Sequence, residues 1–469
     1  MQMTTPAAGN AERSQESLGR VHFIGIGGVG MSAVARIMVA RGVPVTGSDA
    51  KDLPVMADLA AAGAGISVGY AAGNLGDAQT VVAGSAIRAD NPELEAARAA
   101  GLPVLHRSEA LAATMTGDRV VTVAGTHGKS TTTSMITVLL QGAGLDPTFA
   151  IGANVPALGV NAASGTSDVF VAEADESDGS FLNYRPRIAV VTNVEPDHLD
   201  YYGTAEAVYR SFDRFTELLP ADGVLVACAD DPGARALAER TRARGNTRVV
   251  LYGTAEDSQL RLHDGGPGNV WVSTPAGKFA LELQVPGRHN ALNAAAAVAV
   301  ALELGVAPET AAAALANFSG ASRRFEFKGA GRGVRVYDDY AHHPTEVRAA
   351  LAAARSVAGN HKVHVLFQPH LFSRTREFAA EFAEALNAAD TALVLDIYPA
   401  REDPIPGVTS QLIGDRLSGG GRLVAAGEAV RAVVADAAAG DIVLTAGAGD
   451  VTAYGPLIVE ALQAEAPSG

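Results

Sequence analysis

The stretch RVVTVAGTHGKSTTTSMITVLLQGAG (residues 119–144) limits what this chain can fold into. Val120, Val121 and Val123 make a short β-branched run, the composition of a strand buried on both faces. Gly125 and Gly128 follow at once, and then apolar residues recur at helical spacing. A buried strand that turns through glycines into a helix opens a βαβ unit, so its sheet is parallel. The turn also has chemistry. Backbone N–H groups at a helix N-terminus carry partial positive charge, and glycines let them close on a phosphate. Across Gly125, Thr126, His127, Gly128, Lys129, Ser130 and Thr131, the lysine reaches outer phosphates and the Ser130 hydroxyl suits Mg²⁺. The spacing departs from G-x-x-x-x-G-K-[ST], because Val123 stands five residues before Gly128. The bland alternative is a glycine-rich turn that happens to contain lysine. Gly-Lys-Ser directly after a buried strand favours phosphate binding.

Two more strand–glycine or strand–acid starts divide the chain. In VHFIGIGGVGMSAVARIM (residues 21–38), Gly25-x-Gly27-x-x-Gly30 is the fingerprint of a diphosphate held at a helix N-terminus. VPVTGSD (43–49) ends the next strand in Asp49, where a ribose hydroxyl can be bound. Residues 80–87 and 102–111 read as further strands. The third start is RVYDDYAHHPTEV (335–347), followed by apolar runs ending in polar clusters. Residues 260–287 alternate in polarity and read as an antiparallel ribbon. The expected fold is α/β with three domains, at 20–117, 118–325 and 326–469, after a disordered tail at 1–19.

Charge narrows the partners. Lys plus Arg total 36 against 51 Asp plus Glu, a net charge of −15, which argues against a nucleic-acid backbone. Small anionic ligands need only local donors. The single cysteine, Cys228, rules out an intrachain disulfide framework or a cysteine-rich metal site. No apolar leader and no charge-free 18-residue span is evident, so no membrane insertion and a cytoplasmic location are expected.

Acids and histidines close the other strands. Glu173, Asp175, Glu176 and Asp178 follow one apolar run; the first is the best-directed hard ligand for Mg²⁺, and a solvated acidic loop is the alternative. Asn193, Glu195, Asp197, His198 and Asp200 follow another, and His198 is a candidate for metal or phosphate. His289, Asn290 and Asn293 begin a helix, where asparagine can read a purine edge or simply cap the helix. Arg323 and Arg324 suit a γ-phosphate or a linker. Asp338, Asp339, Tyr340, His342, His343, His370, Arg374 and Arg376 cluster at two strand ends. A guanidinium such as Arg374 suits a carboxylate, and His-His-Pro lacks a third ligand at zinc spacing.

Together the motifs HFIGIGGVGMS, GTHGKSTTT, EADESDGSFL, TNVEPDHLDYY, PGRHNALNA, RRFEFKG, DDYAHHPTEV, FQPHLFSRT and GAGD resemble the Mur ligase family, in family order from residue 22 to 450. The resemblance implies a Rossmann-like module for a UDP-sugar, a central P-loop-type ATPase sheet and a C-terminal Rossmann-like module for an amino acid. It implies ATP-dependent amide formation through an acyl phosphate, joining L-alanine to the lactyl carboxylate of UDP-N-acetylmuramate for peptidoglycan precursor synthesis. By that resemblance, Lys129 and the Gly125–Thr131 backbone hold phosphates. Ser130, Glu173 and His198 bind Mg²⁺. His289, Asn290 and Asn293 face adenine, Arg324 reaches a phosphate, and Asp339 the ribose. Gly27, Gly28, Asp49 and Ser85 bind the uridine diphosphate, and His343 and Arg374 the amino acid. The family commonly has threonine at Ser130, and the hydroxyl is kept. Residues 200–215 contain no lysine, so the carbamylated lysine of several sister ligases is not available there, in agreement with the alanine-adding branch. Two other readings stay open: a recycling ligase that attaches a preformed peptide, and a nicotinamide-dependent oxidoreductase. The second leaves GTHGKSTTT and the acid clusters without a role.

Overall fold

The computed structural model describes residues 14–265, 270–275, 277–400 and 402–464. The chain is α/β and builds three mostly parallel sheets. They fall into two compact units. One runs to His263 and adds Val270–Glu282 and Leu292–Phe318; the other holds Leu283–Ala291 and the chain from Ser319 onward.

The first sheet contains β1 (Val21–Ile24), β2 (Val45–Asp49), β3 (Gly65–Val68), β4 (Thr80–Ala83) and β5 (Val104–His106), in the order β3-β2-β1-β4-β5. The order reverses beside β1, so the glycine turn after it opens at the crevice where such sheets take ligands. Two expected strands are shorter than the sequence suggested. β4 stops at Ala83, and β5 stops at His106 because a helix, Arg107–Thr114, starts there. Its capping box holds the start: the Glu109 carboxylate accepts from His106 N at 2.7 Å. Of the expected tail, residues 1–13 lie outside the described residues. Gln15–Leu18 form a 3₁₀ turn, with Leu18 buried and its carbonyl accepting from the Thr80 hydroxyl.

The second sheet, in the same unit, continues with β6 (Arg119–Ala124), β7 (Thr148–Ala150), β8 (Ala162–Ala163), β9 (Val169–Glu173), β10 (Ile188–Val191), β11 (Val224–Cys228), β12 (Arg248–Gly253), β13 (Leu260–Asp264), β14 (Val270–Thr274) and β15 (Gly277–Leu281). Its order is β15-β14-β13-β12-β11-β10-β6-β9-β7-β8. The ribbon expected at 260–287 therefore extends this sheet, with β14 and β15 antiparallel. β6, β10 and β11 are covered on both faces, as their unbroken apolar runs require. The helix after β6, Lys129–Gly142, is buried although its sequence is KSTTTS. The hydroxyls of Thr133, Ser134 and Thr137 donate to carbonyls four residues back, while the buried Thr132 hydroxyl meets no partner among the described residues. Gly142 lets this helix meet Ala314 of the helix Pro308–Leu315; a Cβ there would lie 2.8 Å from the alanine Cβ.

In the second unit, β16 (Glu326–Gly331), β17 (Val334–Asp339), β18 (Val363–Phe367), β19 (Thr391–Val394), β20 (Arg422–Leu423) and β21 (Ile442–Ala446) form a sheet of order β16-β17-β21-β18-β19-β20. Residues 319–325, placed by sequence with the central domain, pack here. Phe325 stacks on Tyr337 at 4.5 Å, and its N–H donates to Asp339.

A buried carboxylate organises the first sheet. Glu93 is fully buried and accepts from Ser48 of β2, Ala71 N and Asn74, with His22 of β1 at 3.3 Å. Burial pushes its pKa up, but these hydrogen bonds outweigh burial and hold it below the ordinary 4.5. A carboxyl with a lowered folded pKa stabilises above its unfolded value and loses that contribution as the pH falls through the folded one. Glu93→Gln is expected to cost roughly 1–3 kcal/mol in urea denaturation at neutral pH. The deficit against wild type should shrink in acid, and an equal deficit at every pH would contradict this.

Candidate active site

The second glycine turn is built from β6 into Lys129–Gly142. Gly125 has φ +138°, and a Cβ on it would lie 2.1 Å from the Thr192 hydroxyl. Gly128 has φ +81°, with Asn293 Oδ1 3.0 Å from the position of a Cβ. Only glycine suits this backbone. Asn193 clamps the turn from the end of β10: its Oδ1 accepts from His127 N at 2.8 Å, and its Nδ2 donates to His127 O at 3.1 Å. Thr126 and Glu195 exchange hydrogen bonds through the Thr126 hydroxyl.

Lys129 folds over the turn. Its Nζ donates to Gly125 O at 2.7 Å, Thr126 O at 3.2 Å and Glu176 Oε1 at 2.8 Å. Burial lowers the ammonium pKa, but the carboxylates of Glu176, Asp175 and Glu173 more than reverse that. Burial raises Glu176 to about 7 against the pull of Lys129, with Asp175 adding to the rise. Glu176 Oε2 is buried with no hydrogen-bond partner among the described residues, a hard oxygen donor of the kind a divalent cation takes up. His198 has φ +55°, and its Nε2 lies 3.7 Å from Glu176 and 3.6 Å from Asp197. Glu173 closes β9, and its Oε2 accepts from Gly152 N at 2.9 Å. Thus Lys129, Glu176 and His198 come together directly. Sequence reading named Glu176 within an acid run and gave it no separate role. It sits three residues beyond Glu173, past the end of the strand, and only the return of that loop brings it to the lysine.

At the first sheet, Gly27 N donates to Asp49 Oδ2 at 3.0 Å, so the acid proposed for a ribose also braces the glycine turn. A Cβ on Gly27 would lie 2.5 Å from Leu53 Cδ1. Gly28 is the N-cap of the helix Val29–Ala40, with no side-chain cap bond. Ser85 donates to Asp178 at 3.2 Å and lies 3.1 Å from His106 Nε2, which ties it to the acid loop of the second sheet.

The second unit holds the remaining candidates. His289 is half-buried, and loss of hydration lowers its pKa to about 4. Asn290 lies within the first turn of the helix Arg288–Glu303 and donates from Nδ2 to Pro286 O at 2.7 Å, a local contact that differs from an N-cap bond, in which the side-chain oxygen accepts. Arg324 lies over the Tyr340 ring at 5.1 Å. Asp339 accepts from Phe325 N and Ala341 N, each at 2.8 Å; burial raises it to about 6 despite the charge of Arg324. His343 is the N-cap of Pro344–Ala358 in a capping box with Glu346, and its ring meets Phe378 edge-on at 5.0 Å. Arg374 is buried in the helix Phe372–Leu386.

Three family models match in succession: the Mur ligase family catalytic domain over residues 20–119, the Mur ligase middle domain over 123–301, and the Mur ligase glutamate ligase domain over 323–449. The chain belongs to the Mur ligase family. This Mur ligase is 90% identical over 467 residues to the UDP-N-acetylmuramate–L-alanine ligase of Arthrobacter sp. (strain FB24), covering 100% of both chains. It is 64% identical to the ligase of that name from Renibacterium salmoninarum, over 96% of this chain and 97% of the relative. Among solved structures, the UDP-N-acetylmuramate–alanine ligase of Thermotoga maritima matches with TM-score 0.77 and 29% identity, over 95% of this chain and 100% of that one. A murein peptide ligase from Psychrobacter arcticus matches with TM-score 0.69 and 27% identity, over 95% and 98%. No described helix is long and apolar enough to cross a membrane.

The backbone of the turn leaves no room at Gly125. Gly125→Ala is expected to lower the melting temperature, through a backbone cost on the order of 1–3 kcal/mol. It should also abolish nucleotide binding in a fluorescence titration with a labelled ATP analogue. Wild-type binding would show that the turn is not the phosphate site.

Proposed function

We propose that this chain joins L-alanine to the lactyl carboxylate of UDP-N-acetylmuramate with hydrolysis of ATP, in peptidoglycan precursor synthesis. The support is its end-to-end identity with ligases of that name. The observation that carries the chemistry is Lys129, largely buried at a helix N-terminus against the fully buried Glu176. A carboxylate is a poor electrophile until one oxygen becomes a leaving group. Transfer of the γ-phosphoryl group makes the acyl phosphate; the alanine amine then attacks the acyl carbon, and phosphate departs. Such transfer needs positioning and charge neutralisation more than a protein nucleophile.

In this reading the backbone from Gly125 to Thr131 binds the phosphates, and Lys129 leaves its two carbonyls to neutralise the outer ones. Ser130, Glu173 and His198 would hold Mg²⁺, which supplies further charge neutralisation when bound. Asn293 lies at the turn on the side of Gly128 and, with His289 and Asn290, is assigned to adenine. Arg324 is assigned to a phosphate and Asp339 to the ribose. Gly27, Gly28, Asp49 and Ser85 take the uridine diphosphate. Arg374 takes the carboxylate of the amino acid, and His343 orients it. The domains are assigned to 20–117, 118–318 and 319–469, the sequence-based limit at 325 moving because 319–325 pack on the third sheet.

Phosphate release from ATP is expected only with UDP-N-acetylmuramate and L-alanine together. Turnover that ignores L-alanine and needs a tripeptide would replace this reading with the peptide-recycling one. NADH binding without phosphate release would favour an oxidoreductase. Lys129→Ala should abolish turnover, by at least about 100-fold, while equilibrium binding of the UDP-sugar is retained.

A further inference from the structure

The third glycine of the first turn makes room for a cation. A Cβ on Gly30 would lie 2.8 Å from Arg107 Nη1, 2.9 Å from its Cδ and 3.1 Å from its Cζ. In the usual fingerprint the third glycine serves close helix–strand packing. Here a guanidinium fills that space. Arg107 is the first residue of its own helix, Arg107–Thr114, and it lies against the first turn of Val29–Ala40. Both helix ends carry partial positive charge, where a cation is disfavoured. The first turn of Val29–Ala40 has no acidic residue to offset it. Glu109, the acid of the other first turn, is bonded to His106 N. The one ion pair of Arg107 among the described residues is loose. Asp175 Oδ2 stands 3.9 Å from Nη2, with both side chains partly exposed. Asp175 also acts on Lys129. Three positive features thus lie beside the glycine turn; Asp49 is engaged with Gly27 N at 3.0 Å and Asp175 is held only loosely by Arg107, an arrangement that leaves the guanidinium able to take an anion.

We propose that Arg107 is a substrate-binding residue that donates to the diphosphate oxygens of the UDP-sugar, exchanging Asp175 for the substrate. The inference rests on the reading under Proposed function, and it adds a residue that neither the motif nor the family comparison assigns. Guanidinium matches two phosphate oxygens in its plane, which lysine cannot do. The exchange also releases Asp175 on the side of Lys129, so binding at the first turn alters the charge beside the second.

The test compares UDP with uridine, by NMR titration of the full chain as wild type, Arg107→Gln and Arg107→Lys. Wild type should bind UDP more tightly than uridine. Arg107→Gln should weaken UDP roughly 10- to 100-fold and leave uridine unchanged. Arg107→Lys should weaken UDP several-fold and again spare uridine. In turnover, KM for the UDP-sugar should rise in both variants while KM for ATP does not move. Unchanged UDP affinity in either folded variant, or equal losses for UDP and uridine, overturns the proposal. If Arg107→Gln fails to fold by thermal melting, Arg107→Lys decides it. A wild-type chain that neither binds UDP nor releases phosphate would instead overturn the functional reading, a result separable from failure of Arg107 alone.

Discussion

The buried pair of Lys129 and Glu176 is the interaction around which the central sheet is arranged. A lysine at the first position of a helix sits at the positive end of the helix dipole and is disfavoured there. Buried as well, it must have a counter-charge and satisfied donors. Gly125 O, Thr126 O and Glu176 supply them. Two of these are possible only because Gly125 adopts a backbone that other residues avoid. The third requires the loop after β9 to return to the end of β6, its sheet neighbour. Strand order, glycine placement and the acid run are thus parts of one electrostatic solution.

The first sheet is fixed to that solution through the helix Val29–Ala40. At its N-terminal end Asn161 Nδ2 donates to Val29 O at 3.1 Å. At the other end Arg41 donates to Thr114 O, Asp118, Thr148 and Ser164. A cation is favourable at a helix C-terminus, so Arg41 stabilises its own helix while joining it to β7 and its surroundings. The helix whose N-terminus faces the first glycine turn is held at both ends by residues after β5 and beyond. A diphosphate on that turn and a phosphate at Lys129 would therefore be referred to one frame.

Strand-end acids in this fold have two physical jobs, and composition does not separate them. Asp338 is fully buried and accepts from Thr445 and Thr452, with Arg323 at 3.3 Å. Asp339 accepts two backbone N–H groups. Both pin loops of the second unit. Glu176, in a similar run at the end of another strand, keeps one oxygen without a hydrogen bond among the described residues. Nothing in the strings DDY and ADES tells these apart; the number of donors each oxygen meets does.

By itself the sequence determined the α/β class, the parallel sheets, both glycine turns and the family. Those follow from local rules: β-branched runs bury strands, glycine alone tolerates the turn backbones, and Gly-Lys-Ser after a strand meets phosphate. The start of the helix at Arg107 was also written locally, in the His106–Glu109 capping box, but the apolar run before it masked the signal. Tertiary structure alone decided the pairing of Lys129 with Glu176 and the placement of Arg107 over Gly30. Each joins segments or resolves alternatives that short-range spacing leaves equal. Burial and the direction of a returning loop set them, and neither is a property of any short stretch of chain.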